Sequence, residues 1–205
     1  CSSDLDFLLL GFFTGLSLIL AIGAQNIFVI EQGLKKQQIF IVCLVCSLSD
    51  LLLIFLGIFL FQYLSNFFTP TVELIFNILL LIFLLHFIWG KLKTEVLEAT
   101  FNVDSETNNF FGILTKTLGF TFLNPHVYSD TVFFLGNFSK NFNQIDKYYF
   151  GVGAATSSFL FFFMLGYLSK YFSKHLKSKN IWRRINYLII LFMSILALTV
   201  LIEII

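Results

Sequence analysis

Six stretches of this chain are too long and too apolar for a water-soluble fold: residues 5–30, 39–61, 72–90, 110–138, 148–168 and 181–205. About 20 apolar residues in an α-helix, rising about 1.5 Å each, cross the roughly 30 Å of hydrocarbon in a bilayer, so each stretch predicts one membrane span. Together they leave almost no room for a soluble domain. Only 12% of the residues are charged, against about 25% in an ordinary globular protein, and 58% are hydrophobic. The expected fold class is an all-α, polytopic membrane helix bundle, a single transmembrane domain over residues 1–205. The first run has no basic segment before it and no small-residue cleavage site after it, so we expect it to be retained rather than removed as a signal peptide. Cys1-Ser2-Ser3 invites a lipoprotein reading, but the missing Met suggests a fragment or a numbering after trimming instead.

Charge sets the expected orientation. Of the 13 Lys and Arg, all but Lys140 and Lys147 follow the first, third and fifth spans: Lys35, Lys36, Lys91, Lys93, Lys116, Lys170, Lys174, Lys177, Lys179, Arg183 and Arg184. Cytoplasmic loops are enriched in Lys and Arg, which predicts that this side is cytoplasmic and both termini are outside. Trp89 and Trp182, at span ends beside basic residues, fit interfacial anchors. Six spans divide into halves of three, residues 1–100 and 101–205. An odd number per half requires any structural repeat to be inverted, so the expected bundle has two inverted three-helix halves.

Two of the runs are broken by polar residues. The fourth contains Leu123-Asn124-Pro125-His126-Val127-Tyr128-Ser129-Asp130, and the first contains Gly23-Ala24-Gln25-Asn26. Asn124 precedes a proline, which pushes its backbone out of the helical region, and Pro125 removes an amide donor from the ladder. Gly23 and Pro125 are therefore the expected break points of helices one and four. Non-helical backbone at membrane depth survives only where it is buried in protein or lines a wet cavity. Interrupted helices at corresponding places in two halves point to a transport site near the midplane. Spans two and five each add a small polar knot, Ser47-Leu48-Ser49-Asp50 and Thr156-Ser157-Ser158.

Asp50 lies near mid-bilayer, where an Asp costs about 2.5–3.5 kcal/mol on insertion scales, so it should face the bundle interior and have a partner. One reading is a cation or proton site; the other is a structural hydrogen bond, to Ser47 or to a Lys reaching inward. Asp130 stands four residues after His126, on the same face if the helix resumes after Pro125. Imidazole titrates near neutrality, so the pair suits a proton relay; the plainer readings are a capping or interfacial His126 and an Asp130 that caps a helix or pairs with a cytoplasmic Lys. Gln25, Asn26 and Asn124 offer amides for broken-helix backbone or for a ligand carboxylate, which the partial positive charge of a half-helix N-terminus also favours. Glu31 and Lys35, spaced i, i+4, predict an interfacial ion pair. Glu73, His86 and Glu203 sit near span ends and carry no functional assignment. The basic stretch from Lys170 to Arg184 sets topology, with attraction to anionic lipid as a second reading. Cys43 and Cys46 form a C-x-x-C inside an apolar helix with no His or carboxylate beside it, which favours buried core residues over redox chemistry. No Walker motif, Gly-rich nucleotide loop or HExxH occurs.

Taken in order, Leu20-Ala21-Ile22-Gly23-Ala24-Gln25-Asn26 with Gln32-Gly33, then Ser49-Asp50, the cluster from Leu123 to Asp130, and Ile181-Trp182-Arg183-Arg184-Ile185-Asn186 resemble the LysE/ArgO family of basic amino-acid exporters over nearly the whole chain. The resemblance implies a secondary transporter, not an enzyme, in the bacterial inner membrane. It would export L-lysine or L-arginine, driven by the proton gradient and membrane potential, as a possible homodimer without cofactor, metal or nucleic-acid partner. The family's paired aspartates match Asp50 and Asp130. Gln25, Asn26, Asp50, Asn124 and Asp130 are then the expected substrate-binding residues, and Asp50, His126 and Asp130 the expected proton-coupling residues. Ala24 stands where the family usually has Pro, which implies a less sharp interruption there, and Ser129 replaces a more usual apolar residue. The alternatives are export of a neutral amino acid such as homoserine or threonine, or of a divalent cation; a thiol-disulfide electron carrier using Cys43 and Cys46; and a non-transporting scaffold.

Overall fold

The computed structural model describes residues 2–20, 23–67, 69–100, 110–173 and 179–204. Among them every regular element is helical: α1 (Ser2–Ile19), α2 (Ala24–Lys35), α3 (Ile39–Phe67), α4 (Pro70–Thr100), α5 (Phe110–Phe122), α6 (Pro125–Tyr128), a π-helical turn (Ser129–Phe134), α7 (Leu135–Ser139), α8 (Gln144–Ser173) and α9 (Lys179–Ile204). Cys1 lies outside the described residues, as do the side chains of Glu73, Lys174, Lys177, Lys179, Trp182 and Glu203.

Among the described residues, four helical segments are long and apolar enough to cross a membrane alone: Ile39–Phe61, Pro70–Lys93, Gln144–Ser173 and Arg183–Ile202. A fifth crossing results if α1 and α2 count as one broken span. The sequence predicts six. The difference lies at the fourth run, where α5 has only 13 residues and the chain continues past Leu123 and Asn124 in short pieces. The proline acts as expected: Pro125 opens α6 as its first residue, where a missing N–H costs nothing, and Asn124 before it is non-helical. The first break is sharper than the loss of proline at Ala24 implies, since α1 and α2 meet at 82°. Gly23 turns the chain there, with extended backbone (φ −109°, ψ −179°) and no side-chain cap on α2.

Helix α8 is the central post, packed against α1, α2 and α3. Small residues make this possible. A Cβ on Gly11 would stand 2.0 Å from the Phe150 carbonyl oxygen, and one on Gly153 would stand 2.0 Å from that of Leu8. Lipid tails are as apolar as side chains, so membrane helices associate by close van der Waals contact at such seams rather than by burying hydrophobic surface. Helices α4 and α9 pack chiefly on each other, touching the rest of the bundle through α2, α5 and α6. One buried cluster joins Phe28 and Val29 of α2, Val42, Cys43 and Cys46 of α3, Leu84 and Phe87 of α4, Phe120 of α5, Phe162 of α8 and Met193 of α9. Outward-facing apolar side chains such as Trp89, Phe111 and Ile202 are exposed, as a lipid-facing surface requires.

Candidate functional site

The two breaks meet. A Cβ on Gly23 would lie 4.0 Å from Nδ2 of Asn124, which brings the start of α2 beside the end of α5. Around this point opens a cavity of about 320 Å³, and Gly23, Gln25, Asn26, Asp50, Asn124 and Asp130 all line it. Its volume falls in the roughly 300–1,000 Å³ range of small-molecule sites. The remaining wall is apolar apart from Thr131, Ser158 and Thr199, with Leu80 and Leu84 from α4 and Leu196 and Val200 from α9.

Each break is stitched by side chains. Asn26 Nδ2 donates to the carbonyl of Ile19 (3.1 Å), the last residue of α1, whose oxygen the break would orphan. Tyr128 Oη does the same for Phe122, the last residue of α5 (2.9 Å). Val127 N–H donates to the Asn124 carbonyl (3.2 Å), which starts α6. Gln25 is buried, and its Nε2 has no hydrogen-bond partner among the described residues.

Asp50 is only 5% exposed. Its hydrogen-bond donor is Ser158 of α8, whose Oγ stands 2.7 Å from Asp50 Oδ2. This corrects the expected partners: Ser47 instead bonds back to the Cys43 carbonyl of its own helix (2.8 Å), and no cation pairs with Asp50 among the described residues. The lone pairs of the Cys43 carbonyl, one turn back, outcompete the carboxylate for that hydroxyl because serine in a helix readily bonds to i−4. Asp130 is half-buried on the π turn, which packs against α3, and lines the cavity. There Leu135 N–H donates to the Asp130 carbonyl, an i to i+5 bond that sets both residues on the cavity wall. His126 and Pro125 lie on α6, with their side chains outside the described residues.

Glu31 is buried, 2% exposed. The expected partner is present, with Lys35 Nζ at 3.1 Å, but Lys91 of α4 also donates to the same carboxylate oxygen. Lys91 is some 60 positions away in sequence, so no local pattern pointed to it. Ser158 was visible only as part of a polar knot. Cys43 and Cys46 are buried and not bonded to one another, and Cys43 Sγ donates to the Phe162 carbonyl (3.2 Å). His86 is exposed. Among the described residues, no three His, Cys, Asp or Glu gather into a metal-binding group.

Broken helices meeting at a cavity that holds two carboxylates, within a bundle of apolar spans, define a polytopic membrane protein of the transporter class. The chain belongs to the LysE type translocator family, which it matches over residues 16–204. It is similar to the arginine exporter protein ArgO of Pectobacterium atrosepticum, 34% identical over 184 residues that cover 87% of this chain and 88% of the relative. It is equally similar to ArgO of Salmonella paratyphi A and of Salmonella typhimurium, 34% identical over 194 residues covering 91% of this chain and 89% of each relative. No solved structure matches the chain. With its bacterial relatives and its several apolar spans, this is a multi-pass protein of the bacterial inner membrane.

Proposed function

We propose that the protein exports a basic amino acid, L-arginine or L-lysine, from the cytoplasm as a secondary transporter. The observation that carries this reading is Asp50: a buried carboxylate on a cavity wall, held by one neutral hydroxyl and matched by no cation among the described residues. An ionised group in that setting calls for a partner, and a cationic ligand supplies it. The guanidinium of arginine suits the role best, because its planar fork can engage a carboxylate through two donors at once. A neutral side chain would leave Asp50 uncompensated.

Asp130 is the second acidic group of the site, binding the cationic end of the substrate or exchanging it for protons, with His126 as relay. The substrate's own carboxylate fits the uncapped N-terminus of α2, together with Gln25 Nε2 and the amide of Asn124. Asn26 serves mainly to hold the break, through its bond to Ile19. Proton gradient and membrane potential drive the cycle. Two inverted three-helix halves, with α5 to α7 as an interrupted fourth crossing, alternate around the cavity, and a homodimer is the expected assembly. The arginine-exporter relatives support a basic substrate over the neutral amino acids.

Cells lacking their own basic amino-acid exporters and fed arginine- or lysine-containing dipeptides test the reading. We expect this protein to restore excretion of the liberated amino acid, and Asp50→Asn or Asp130→Asn to abolish it. Excretion no higher than in cells without the protein would refute a basic substrate.

A further inference from the structure

Two stacked layers lie to one side of the cavity, the nearer one built on three helices and the farther one on two of them. Helix α2 leads away from the cavity at Ala24, α4 at Leu84, and α5 arrives at it at Asn124. One turn from these residues, toward the Lys-rich end of each helix, stand Phe28, Phe87 and Phe120. The three side chains are buried and their rings touch: the centroids lie 5.0 Å apart for Phe28 and Phe120, 5.0 Å for Phe87 and Phe120, and 6.3 Å for Phe28 and Phe87. One turn further, Glu31 of α2 and Lys91 of α4 form their buried ion pair, with Lys35 on the same carboxylate oxygen. Lys91 also stands 5.7 Å over the Phe87 ring, which joins the two layers. The three rings thus stand between the cavity-lining turns of α2 and α4 and the Lys-rich ends of these helices.

We propose that these layers are the cytoplasmic gate of the transport cavity, the ring triad as its plug and the Glu31–Lys91 pair as its latch. The inference rests on the export reading and on the cytoplasmic assignment of the Lys-rich side. A buried ion pair is a poor choice for simply holding two helices together, since apolar residues of the same size do so without desolvating two charges. It differs from apolar packing in giving way all at once: separated, each charge must be met by water or another ion. That is the behaviour of a latch. The part that moves is α4 with α9, which pack on each other and touch the rest of the bundle through few elements, and which form one wall of the cavity. Glu31 also keeps an acceptor in reserve, for its Oε2 is buried without a hydrogen-bond partner among the described residues. A cationic side chain coming from the cytoplasm can bind that oxygen as Lys91 withdraws, so that the substrate itself favours opening.

The test is cysteine accessibility. Leu196→Cys, on the α9 wall of the cavity, is introduced with the chain's three Cys replaced by Ser, and a membrane-impermeant cationic methanethiosulfonate is applied to right-side-out or inside-out vesicles. Phe87→Ala and, separately, Lys91→Met should speed labelling from the cytoplasmic face at least fivefold and leave labelling from outside unchanged. The exchanged pair Glu31→Lys with Lys91→Glu should return the rate toward that of the parent. Unchanged cytoplasmic labelling in Lys91→Met, or an equal rise from both faces, overturns the gate. A Phe87→Ala protein that does not fold leaves Lys91→Met and the exchanged pair to decide. Labelling requires no transport, so a gate that fails here is distinct from an export reading that fails in the excretion assay.

Discussion

Replacing Asp50 by Asn separates a binding carboxylate from a structural one, because the two roles predict opposite changes in stability. Asparagine has nearly the same shape, and its side-chain oxygen still accepts the Ser158 hydroxyl now 2.7 Å from Asp50 Oδ2. What disappears is the charge. An Asp at mid-bilayer costs about 2.5–3.5 kcal/mol on insertion scales, and no cation of the described chain offsets it. The substrate-free Asp50→Asn protein should therefore melt at the same temperature as the parent or higher. Its affinity for a cationic substrate should collapse: removing one member of a buried charge pair costs about 2–5 kcal/mol. At 1.4 kcal/mol per tenfold, that is a loss of about 30-fold or more. Purified protein in detergent gives the first quantity by thermal melting with and without arginine, and counterflow in proteoliposomes gives the second. Arginine should raise the melting temperature of the parent and not of the variant. An Asp50→Asn protein that melts earlier, or one that still binds arginine as the parent does, would refute the reasoning.

Ser158→Ala leaves a buried carboxylate oxygen without its donor, which costs about 1–3 kcal/mol, so both melting temperature and export should fall, and Ser158→Thr should restore both. Gly153→Ala puts a methyl where the Leu8 carbonyl stands, so the yield of monodisperse protein should drop sharply; Gly90→Ala, with nothing within 4 Å, should be tolerated. Serine at both Cys43 and Cys46 should keep at least half of the export rate in the excretion assay, whereas a thiol-disulfide carrier would lose all activity.

The site was more legible than the bundle that holds it. Asp50, Asn124 and the Gly23-to-Asn26 break announced themselves because polar groups are costly in hydrocarbon, and the cavity gathers them. Helix pairing leaves no such trace. The crossing of α1 and α8 rests on the absence of side chains at Gly11 and Gly153, and glycines there read no differently from glycines elsewhere in an apolar run. Partners far apart in sequence were equally hidden. Nothing near Asp50 distinguishes Ser47, one turn away, from Ser158 on another helix, and geometry alone selects the second. Glu31 looked complete with Lys35 at i+4 until the fold brought Lys91 to it. The fourth run is divided at Asn124, as its Asn-Pro pair implies, and is described as a 13-residue helix followed by short pieces.

The π turn at Ser129–Phe134 bears on how this site can change over generations. Asp130 and Leu135 share the cavity wall because they stand five positions apart in a segment bonded i to i+5. In an α-helix, at 3.6 residues per turn, the same two positions would point about 140° apart. Deleting one residue between them would return the segment to the ordinary ladder and leave the two positions i and i+4, about 40° apart and still on one face. The extra residue of the π turn is thus one the site can lose without redirecting its second carboxylate.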